Sequence, residues 1–247
     1  MKVRVDQLLV TRGLAPTRAK AQALVLAGKV YVGEMRIDKA GAILAEDANV
    51  VVRGDDHAYV SRGGVKLAGA LDTFAVDPSG KRCIDLGAST GGFTDCLLQR
   101  GAASVAAVDV GYGQLAHKLR VDPRVLVLER TNARTLEPDA VGGEADLVVV
   151  DASFIGLGKL TDAITRCTKP GGELVALVKP QFEVGRAEAS RGKGVVKDPE
   201  VRARAIAAAV KEVEEAGFTI LATCDSSIEG PKGNREAFVH AKKRGTE

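Results

Sequence analysis

The chain has 247 residues, of which 45% are hydrophobic and 27% are charged. This composition supports a packed core and excludes a largely disordered chain. The net charge of +3 is small, so total charge does not by itself indicate a nucleic-acid-binding protein.

Cysteine usage and hydropathy argue against several further classes of protein. The four cysteines lie far apart, without a CxxC pair or a Cys/His cluster, which argues against a zinc site or a disulfide scaffold and fits a reducing compartment. No stretch reaches the roughly 18 uninterrupted apolar residues that a membrane span requires. The first residues show no signal-peptide pattern. We therefore expect a soluble cytoplasmic protein without a metal site.

Residues 1–53 predict a small unit of two helices followed by a hairpin. Val5, Leu8 and Leu9 lie at helical spacing. Thr17 is a suitable N-cap for a second helix that ends at Gly28. A short hairpin and a further strand follow, over residues 30–32, 35–37 and 49–52, with Gly33 and Glu34 in the hairpin turn.

The charge of this first segment is one-sided. The first 29 residues contain six basic side chains and the single acid Asp6. Arg18 and Lys20 cannot join the apolar stripe of the second helix, so they face solvent or a ligand. A solvated helix face would explain them equally well, but the excess of one sign favours contact with an anion.

After a polar linker over residues 54–60, apolar strands alternate with helices. Strands are predicted over residues 81–86, 104–109, 124–128, 146–151, 173–178, 218–224 and 236–241, and helices over 91–100, 157–167 and 200–216. Near-continuous valine and leucine runs separated by helices predict a parallel sheet covered on both faces. The last two strands have no helix between them, which predicts an antiparallel pair at the end.

A glycine-rich loop follows the first of these strands, at residues 87–92. The carboxyl edge of such a sheet is where α/β folds bind ligands, and Gly87, Gly91 and Gly92 would let the backbone approach a ligand closely. Asp109, at the end of the next strand, is placed to accept hydrogen bonds from a ribose diol. Glycines that serve only a tight turn are the alternative.

This pattern is compatible with NAD or with S-adenosylmethionine. Asp85 puts a carboxylate just before the glycines, near the place where a pyrophosphate would lie, and the loop lacks the GxGxxG pattern. Repulsion disfavours a dinucleotide there, whereas S-adenosylmethionine carries an ammonium and a sulfonium. We therefore expect S-adenosylmethionine as the cofactor.

Five stretches together resemble one known family over essentially the whole chain. They are SRGGVKL (61–67), DLGASTGGFTD (85–95), VVVDASFI (148–155), LVKPQFE (177–183) and GNREAFVHA (233–241). In this order they are similar to the hemolysin-A-type (TlyA) family of ribosomal RNA methyltransferases. The leading segment resembles an S4 RNA-binding domain, with Thr17 in place of the commoner serine and Gly33-Glu34 in place of an asparagine–glycine turn.

The resemblance implies an architecture and an activity. The expected fold is α/β: a Rossmann-like methyltransferase domain over residues 61–247, with a mostly parallel seven-stranded sheet and an antiparallel last strand, joined by the linker to an α+β S4-like domain over residues 1–53. The implied reaction is 2′-O-methylation of ribose in 16S and/or 23S ribosomal RNA, with cytidine as the nucleotide. Ribosomal RNA or ribosomal subunits are then the partner.

The second half resembles the FtsJ-like branch of methyltransferases, which use a lysine–aspartate–lysine–glutamate set. Matching the motifs places this set at Lys66, Asp151, Lys179 and Glu236. Asp151 and Lys179 each end an apolar strand, so both are expected at the carboxyl edge beside the glycine loop.

Methyl transfer to a ribose hydroxyl needs orientation and the removal of one proton. Lys179 is the expected base or alkoxide stabiliser, with Asp151 and Glu236 positioning the lysines. A neighbouring ammonium at Lys66 favours the neutral amine of Lys179, whereas the carboxylates favour its charged form, so the identity of the base stays open.

Each of the four also has a simpler explanation. Lys66 fits an ordinary amphipathic helix, and Asp151 fits a cap of the following helix. Lys179 fits a loop charge, and Glu236 fits a pair with Arg235 or with a surface lysine. Their joint order along the chain favours the catalytic interpretation.

Two further sets of residues are expected at the ligands. Cofactor contacts are expected from Asp85, Gly87, Ser89, Thr90, Gly91, Gly92, Phe93, Asp109, Asn132 and Asp151. RNA contacts are expected from Arg4, Arg12, Arg18, Lys20, Arg62, Arg186, Arg191 and Lys193. The last three lie in a long basic loop over residues 179–198. Such a loop is expected to act as a lid or an RNA contact, with a simply solvated loop as the alternative.

Two other functions compete with this one. A ribosome-assembly factor could bind RNA and keep S-adenosylmethionine as a structural ligand. A membrane-active hemolysin is disfavoured, because the chain has no tryptophan and only 4% aromatic residues, and no aromatic-rich amphipathic basic helix is evident.

Overall fold

The computed structural model describes residues 2–33, 35–52, 58–184, 194–230 and 233–245. The chain divides into two compact units, Met1–Ala58 and Tyr59–Glu247. Of the predicted hairpin turn and linker, Glu34 and residues 54–57 lie outside the described residues.

Where it is described, the first unit contains two helices and five short strands. They are β1 (Lys2–Arg4), α1 (Val5–Thr11), α2 (Arg18–Leu26), β2 (Val30–Val32), β3 (Met35–Arg36), β4 (Ile43–Ala45) and β5 (Val50–Val52). Strand β1 pairs with β4, and β2 lies between β3 and β5. Strands β1 and β4, which pair across the two helices and the hairpin between them in the chain, were not predicted.

The core of this unit forms where the helical spacing predicted it. Val5, Leu8 and Leu9 of α1 are buried and pack in one cluster with Ala21 and Val25 of α2. The predicted N-cap is confirmed, since the Thr17 hydroxyl accepts a hydrogen bond from the backbone N–H of Lys20. The cap satisfies one of the free N–H groups at the start of α2.

Asp6 organises the basic side chains of the first unit. Its carboxylate is fully buried and accepts hydrogen bonds from Arg4, at 3.0 and 2.9 Å, from Arg18 at 2.9 Å and from Gln22 at 3.0 Å. The hydrogen bonds from Arg4, together with those from Gln22 and Arg18, hold the pKa of Asp6 well below its usual range. Asp6 therefore ties both helices together and fixes two guanidinium groups that stay partly exposed.

Replacing this carboxylate should destabilise the first unit. Because hydrogen bonds to a charged group are stronger than neutral ones, Asp6→Asn should lower the free energy of unfolding of this unit by about 1–3 kcal/mol. Amide hydrogen exchange over residues 2–52 of the full chain measures this.

The pH dependence follows from the lowered pKa of Asp6. The stabilisation that the ionised Asp6 carboxylate gives is present above the ordinary aspartate pKa and is lost as the pH falls. The difference in free energy of unfolding between wild type and Asp6→Asn should therefore shrink on acidification. A difference that stays constant with pH, or is absent at neutral pH, would contradict this role.

The second unit is built around one seven-stranded sheet. Its strands are β6 (Arg82–Leu86), β7 (Ser104–Val108), β8 (Val125–Leu128), β9 (Ala145–Val150), β10 (Thr168–Val178), β11 (Phe218–Asp225) and β12 (Ala237–Lys243). Their order is β11-β12-β10-β9-β6-β7-β8. Strand β12 is antiparallel to both neighbours, whereas the pairs from β10 to β8 are parallel. The predicted fold class, with its antiparallel last strand, is confirmed.

Within the described residues of this unit, one helix precedes β6 and the others lie between the strands along the chain. They are α3 (Arg62–Phe74), α4 (Gly92–Gln99), α5 (His117–Arg120), α6 (Thr161–Cys167), α7 (Pro180–Glu183) and α8 (Pro199–Glu215), with 3₁₀ turns at Ala133–Thr135, Pro138–Val141 and Leu157–Leu160. The predicted helix over residues 157–167 is thus a 3₁₀ turn followed by α6. The short α7 lies in the stretch that we predicted as loop.

Strand β9 explains why the apolar runs in the sequence are continuous. Val148 and Val150 pack in one core cluster with Ile164 of α6, and Leu147 and Val149 pack in another with residues of α3 and α4. A parallel strand covered on both faces needs apolar side chains at every position. The carboxyl ends of the parallel strands therefore meet at one edge, where the polar residues that follow them are brought together.

Candidate active site

The glycine loop lies against the residue that follows β9. Gly87 has φ +89°, and a Cβ atom added there would lie 2.7 Å from the backbone oxygen of Asp151. The N–H of Asp151 in turn donates to the backbone oxygen of Leu86 at 2.9 Å. Only glycine satisfies both the left-handed backbone and this close approach, so Gly87 sets the position of Asp151 beside the loop.

Alanine at position 87 should destabilise the fold by more than the strain of a left-handed backbone alone. Gly80 is a matched control, because its φ is +69° and an added Cβ would meet no atom within 4 Å. Gly80→Ala should cost about 1 kcal/mol, whereas Gly87→Ala must also displace backbone and should lower the melting temperature by several degrees more. Equal melting temperatures for the two variants would contradict the contact.

A cavity of about 1390 Å³ opens at this edge of the sheet. Six residues expected at the cofactor line it: Gly87, Ser89, Thr90, Gly92, Phe93 and Asp151. Asp85, Gly91, Asp109 and Asn132 are not among the residues that line this cavity. Asp109 accepts hydrogen bonds from the backbone N–H groups of Ser89 and Gly111, and the exposed Asn132 caps a 3₁₀ turn through the N–H of Arg134.

Asp85 lies beneath the loop rather than in the cavity. Its side chain is fully buried and accepts two hydrogen bonds from Thr94, from the backbone N–H at 2.9 Å and from the hydroxyl at 2.7 Å. Burial raises the pKa of Asp85 to about 7, against the opposing effect of these hydrogen bonds. Among the described residues, its Oδ1 atom has no hydrogen-bond partner.

Two lysine–carboxylate contacts reach the same cavity. Lys179 Nζ lies 2.5 Å from Asp151 Oδ1 and donates to the hydroxyl of Ser153 at 2.8 Å. Lys66 Nζ lies 2.5 Å from Glu236 Oε2, and both of these side chains are almost completely buried. The structure thus brings the four predicted side chains to one cavity as two ion pairs.

The simpler explanation for Glu236 does not hold. Arg235 lies 4.0 Å from Asp225, and the lysine that Glu236 contacts, Lys66, is buried rather than on the surface. Asp151 does not cap the following element either, since that element begins at Leu157 with Gly156 as its N-cap residue, and the Asp151 carboxylate contacts Lys179. The four side chains therefore form a shared polar site rather than separate local contacts.

Comparison with known proteins identifies the family. The chain matches the FtsJ-like methyltransferase family over residues 59–243 and the S4 domain over residues 3–50. It is 51% identical, over 96% of its length and 89% of the relative's, to a protein of Mycobacterium tuberculosis named 16S/23S rRNA (cytidine-2'-O)-methyltransferase TlyA. The chain belongs to the FtsJ-like methyltransferase family.

Two further comparisons extend over nearly the whole chain. Hemolysin A of Brachyspira hyodysenteriae is 37% identical, over 96% of this chain and 99% of that protein. A solved structure of a protein provisionally named a hemolysin, from Streptococcus thermophilus, is 40% identical with a TM-score of 0.77, over 98% of this chain and 89% of that one. In the described part of the present chain, no helix is long and apolar enough to cross a membrane.

Three residues in the FtsJ-like domain were not singled out from the sequence. Ser153 binds Lys179, and Phe154 is 91% exposed with φ +67° and a ring centroid 5.3 Å from that of Phe182. Glu183 accepts a hydrogen bond from the backbone N–H of Leu157 at 2.9 Å. All three lie in or contact the loop after β9, and the only signal for them was their place inside the motifs around Asp151 and Lys179.

Glu183 links the loops that follow β9 and β10. Burial, the largest cause, raises the pKa of Glu183 to about 7, and the nearby Glu212 carboxylate acts in the same direction. Between its ordinary pKa and pH 7 the folded protein therefore holds a proton that the unfolded chain releases. This makes the folded state less stable as the pH rises through that range.

A neutral side chain at position 183 should remove this pH dependence. Glu183→Gln retains an oxygen to accept from Leu157 but has no proton to gain or lose in this range. Its free energy of unfolding relative to that of wild type should therefore rise by on the order of 2–3 kcal/mol between pH 4.5 and 7. Chemical denaturation across this range measures it, with Glu215→Gln on the exposed face of α8 as the control. Parallel stability curves for wild type and Glu183→Gln would contradict this.

The residues expected to bind RNA lie in several places. Arg62 borders the cavity and donates to the backbone oxygen of Glu229. In the first unit, Arg4 and Arg18 contact Asp6, Arg12 donates to the backbone oxygens of Glu46 and Ala48, and Lys20 is exposed. Arg186, Arg191 and Lys193 lie outside the described residues.

Proposed function

We propose that this protein transfers a methyl group from S-adenosylmethionine to the 2′-hydroxyl of a cytidine in ribosomal RNA. The observation that carries the proposal is the convergence of Lys66–Glu236 and Lys179–Asp151 on one cavity beside the glycine loop. Membership of the FtsJ-like methyltransferase family supports the reaction. The naming of a 51% identical relative as a 16S/23S rRNA (cytidine-2'-O)-methyltransferase supports the substrate.

The residues present fit S-adenosylmethionine. The cavity wall includes backbone without side chains at Gly87 and Gly92, and it is bordered by the hydroxyls of Ser89 and Thr90. Asp151 places a carboxylate in the cavity beside this loop, which suits the positive groups of the cofactor. When bound, S-adenosylmethionine supplies an electrophilic methyl group on a positively charged sulfur.

Lys179 is the residue that acts on the ribose hydroxyl. The hydroxyl is a poor nucleophile, because it holds its proton tightly at neutral pH. As an ammonium paired with Asp151, Lys179 stabilises the negative charge that develops on the oxygen. As an amine, it accepts the proton. Ser153 holds the same nitrogen from a second direction, at 2.8 Å, and so restricts where it can lie.

Lys66 and Glu236 form the opposing, less exposed part of the site. Because both side chains are nearly buried, each needs the other to remain charged there. Glu236 therefore orients Lys66, and Lys66 orients the ribose by contact with its oxygens. The large exposed ring of Phe154 borders the same cavity and offers a stacking surface for an unstacked base.

The first unit supplies RNA affinity. We assign residues 1–53 to an S4-like RNA-binding domain, residues 54–60 to a linker and residues 61–247 to the methyltransferase domain. The partly exposed Arg4 and Arg18 and the exposed Lys20 suit contacts to phosphates and to the shape of folded RNA, which position a substrate without reading its sequence.

Removing Lys179 or Asp151 should abolish methyl transfer. In assays of tritiated methyl transfer to unmodified ribosomal subunits, Lys179→Ala and Asp151→Ala should slow the reaction by about 100-fold or more. Lys169 and Asp146 provide a matched control, since they form a contact of 2.6 Å at the opposite end of β9 and β10. Lys169→Ala and Asp146→Ala should remain active.

The mapped product decides between the proposed function and its alternatives. Label at a cytidine 2′-oxygen supports it, whereas label at another atom or nucleotide contradicts the substrate assignment. RNA and cofactor binding without any incorporated label would instead indicate a ribosome-assembly factor. Wild-type rates in Lys179→Ala and Asp151→Ala would contradict the catalytic assignment.

A further inference from the structure

Asn234 is a buried polar residue that the proposed mechanism does not use. It lies between β11 and β12, two positions before Glu236, and its exposed fraction is only 3%. It borders the same cavity as the two ion pairs. A buried amide must have its hydrogen-bonding groups satisfied, and the partners that satisfy them show what the residue holds in place.

Both ends of the Asn234 amide bind one distant segment of backbone. Its Oδ1 atom accepts from the N–H of Val196 at 2.9 Å, and its Nδ2 atom donates to the backbone oxygen of Gly194 at 2.9 Å. Gly194 and Val196 belong to the connection between α7, which follows Lys179, and α8. The side chain therefore clamps this connection to the start of the last strand.

The backbone of Asn234 also closes the turn against which Glu236 packs. Its oxygen accepts from the N–H of Gly230 at 2.9 Å. A Cβ atom added at Gly230 would lie only 2.7 Å from Glu236 Oε1, so the Glu236 carboxylate lies directly over that residue. Movement of the turn would therefore move the carboxylate that holds Lys66.

We propose that Asn234 is a positioning residue for methyl transfer, whose side-chain amide ties the segment at Gly194 and Val196 to the turn that orients Glu236 and Lys66. This inference rests on the proposed function. It assigns Asn234 no contact with the cofactor or with the reacting atoms. Its role is to hold the turn that supports Glu236 against the segment that leads into α8.

The chemistry of the clamp requires both a donor and an acceptor. Alanine supplies neither. An ionised aspartate accepts from Val196 but repels the oxygen of Gly194. A protonated aspartate regains the donor. Asn234→Asp should therefore recover part of the clamp as the pH falls, and Asn234→Ala should not.

The test compares methyl transfer by full-length wild type, Asn234→Ala and Asn234→Asp on unmodified ribosomal subunits. Both variants should lose about 10- to 100-fold in kcat, with KM for S-adenosylmethionine changed less than about threefold. The ratio of the Asn234→Asp rate to the Asn234→Ala rate should rise between pH 8 and pH 5.5. Asp85 and Glu183, whose pKa values are raised to about 7, titrate in this range in both variants, so their effect cancels in that ratio to first order.

Thr168→Ala controls for a general loss of stability. The buried Thr168 hydroxyl donates to the backbone oxygen of Ile164 at the far end of β10, so its removal should lower the melting temperature and leave kcat unchanged. A wild-type kcat in both Asn234 variants, a loss no greater than that of an equally destabilised Thr168→Ala, or a flat ratio with pH would each overturn the role of Asn234. A wild-type protein that transfers no methyl group would overturn the proposed function, and the role of Asn234 with it.

Discussion

Two ion pairs at the carboxyl edge of the sheet are the constraint on which the rest of the second unit depends. Lys66 and Glu236 are 170 positions apart, yet their charged atoms lie 2.5 Å from one another with little solvent around them. A buried charge is tolerated only beside a partner, so α3 and the start of β12 must meet. The Lys179–Asp151 contact makes the same demand on the ends of β9 and β10.

The direction of β12 is what makes the first of these pairs possible. The parallel strands present their last residues at one edge, which is where Asp151 and Lys179 follow β9 and β10. An antiparallel strand begins at that same edge, and Glu236 immediately precedes β12. A parallel last strand would have placed Glu236 at the opposite end of the sheet. The reversed strand is thus a requirement of the site as well as a feature of the fold.

Sequence patterns predicted the elements that packing determines and missed those that depend on single contacts. Continuous apolar runs such as β9 and the spacing of Val5, Leu8 and Leu9 are local signals, and both were interpreted correctly. Strand β1 depends on pairing with the distant β4, and α7 is a single helical turn, so no local pattern marks either of them. The hydrogen bonds from Lys179 to Ser153 and from Leu157 to Glu183 depend on how two loops meet, which no local pattern records.

The buried carboxylates show why residue type alone does not assign a role. From the sequence, Asp85 was expected beside the cofactor as a negative charge that disfavours a dinucleotide. In the structure it is fully buried, and desolvation raises its pKa to about 7, whereas Asp6 is equally buried but held ionised mainly by its hydrogen bonds with Arg4. The carboxylate that lines the cavity is Asp151. The electrostatic argument against a pyrophosphate therefore applies to Asp151, which Gly87 holds in place. The preference for a cationic donor thus follows from the loop after β9 rather than from Asp85 in the strand before the glycines.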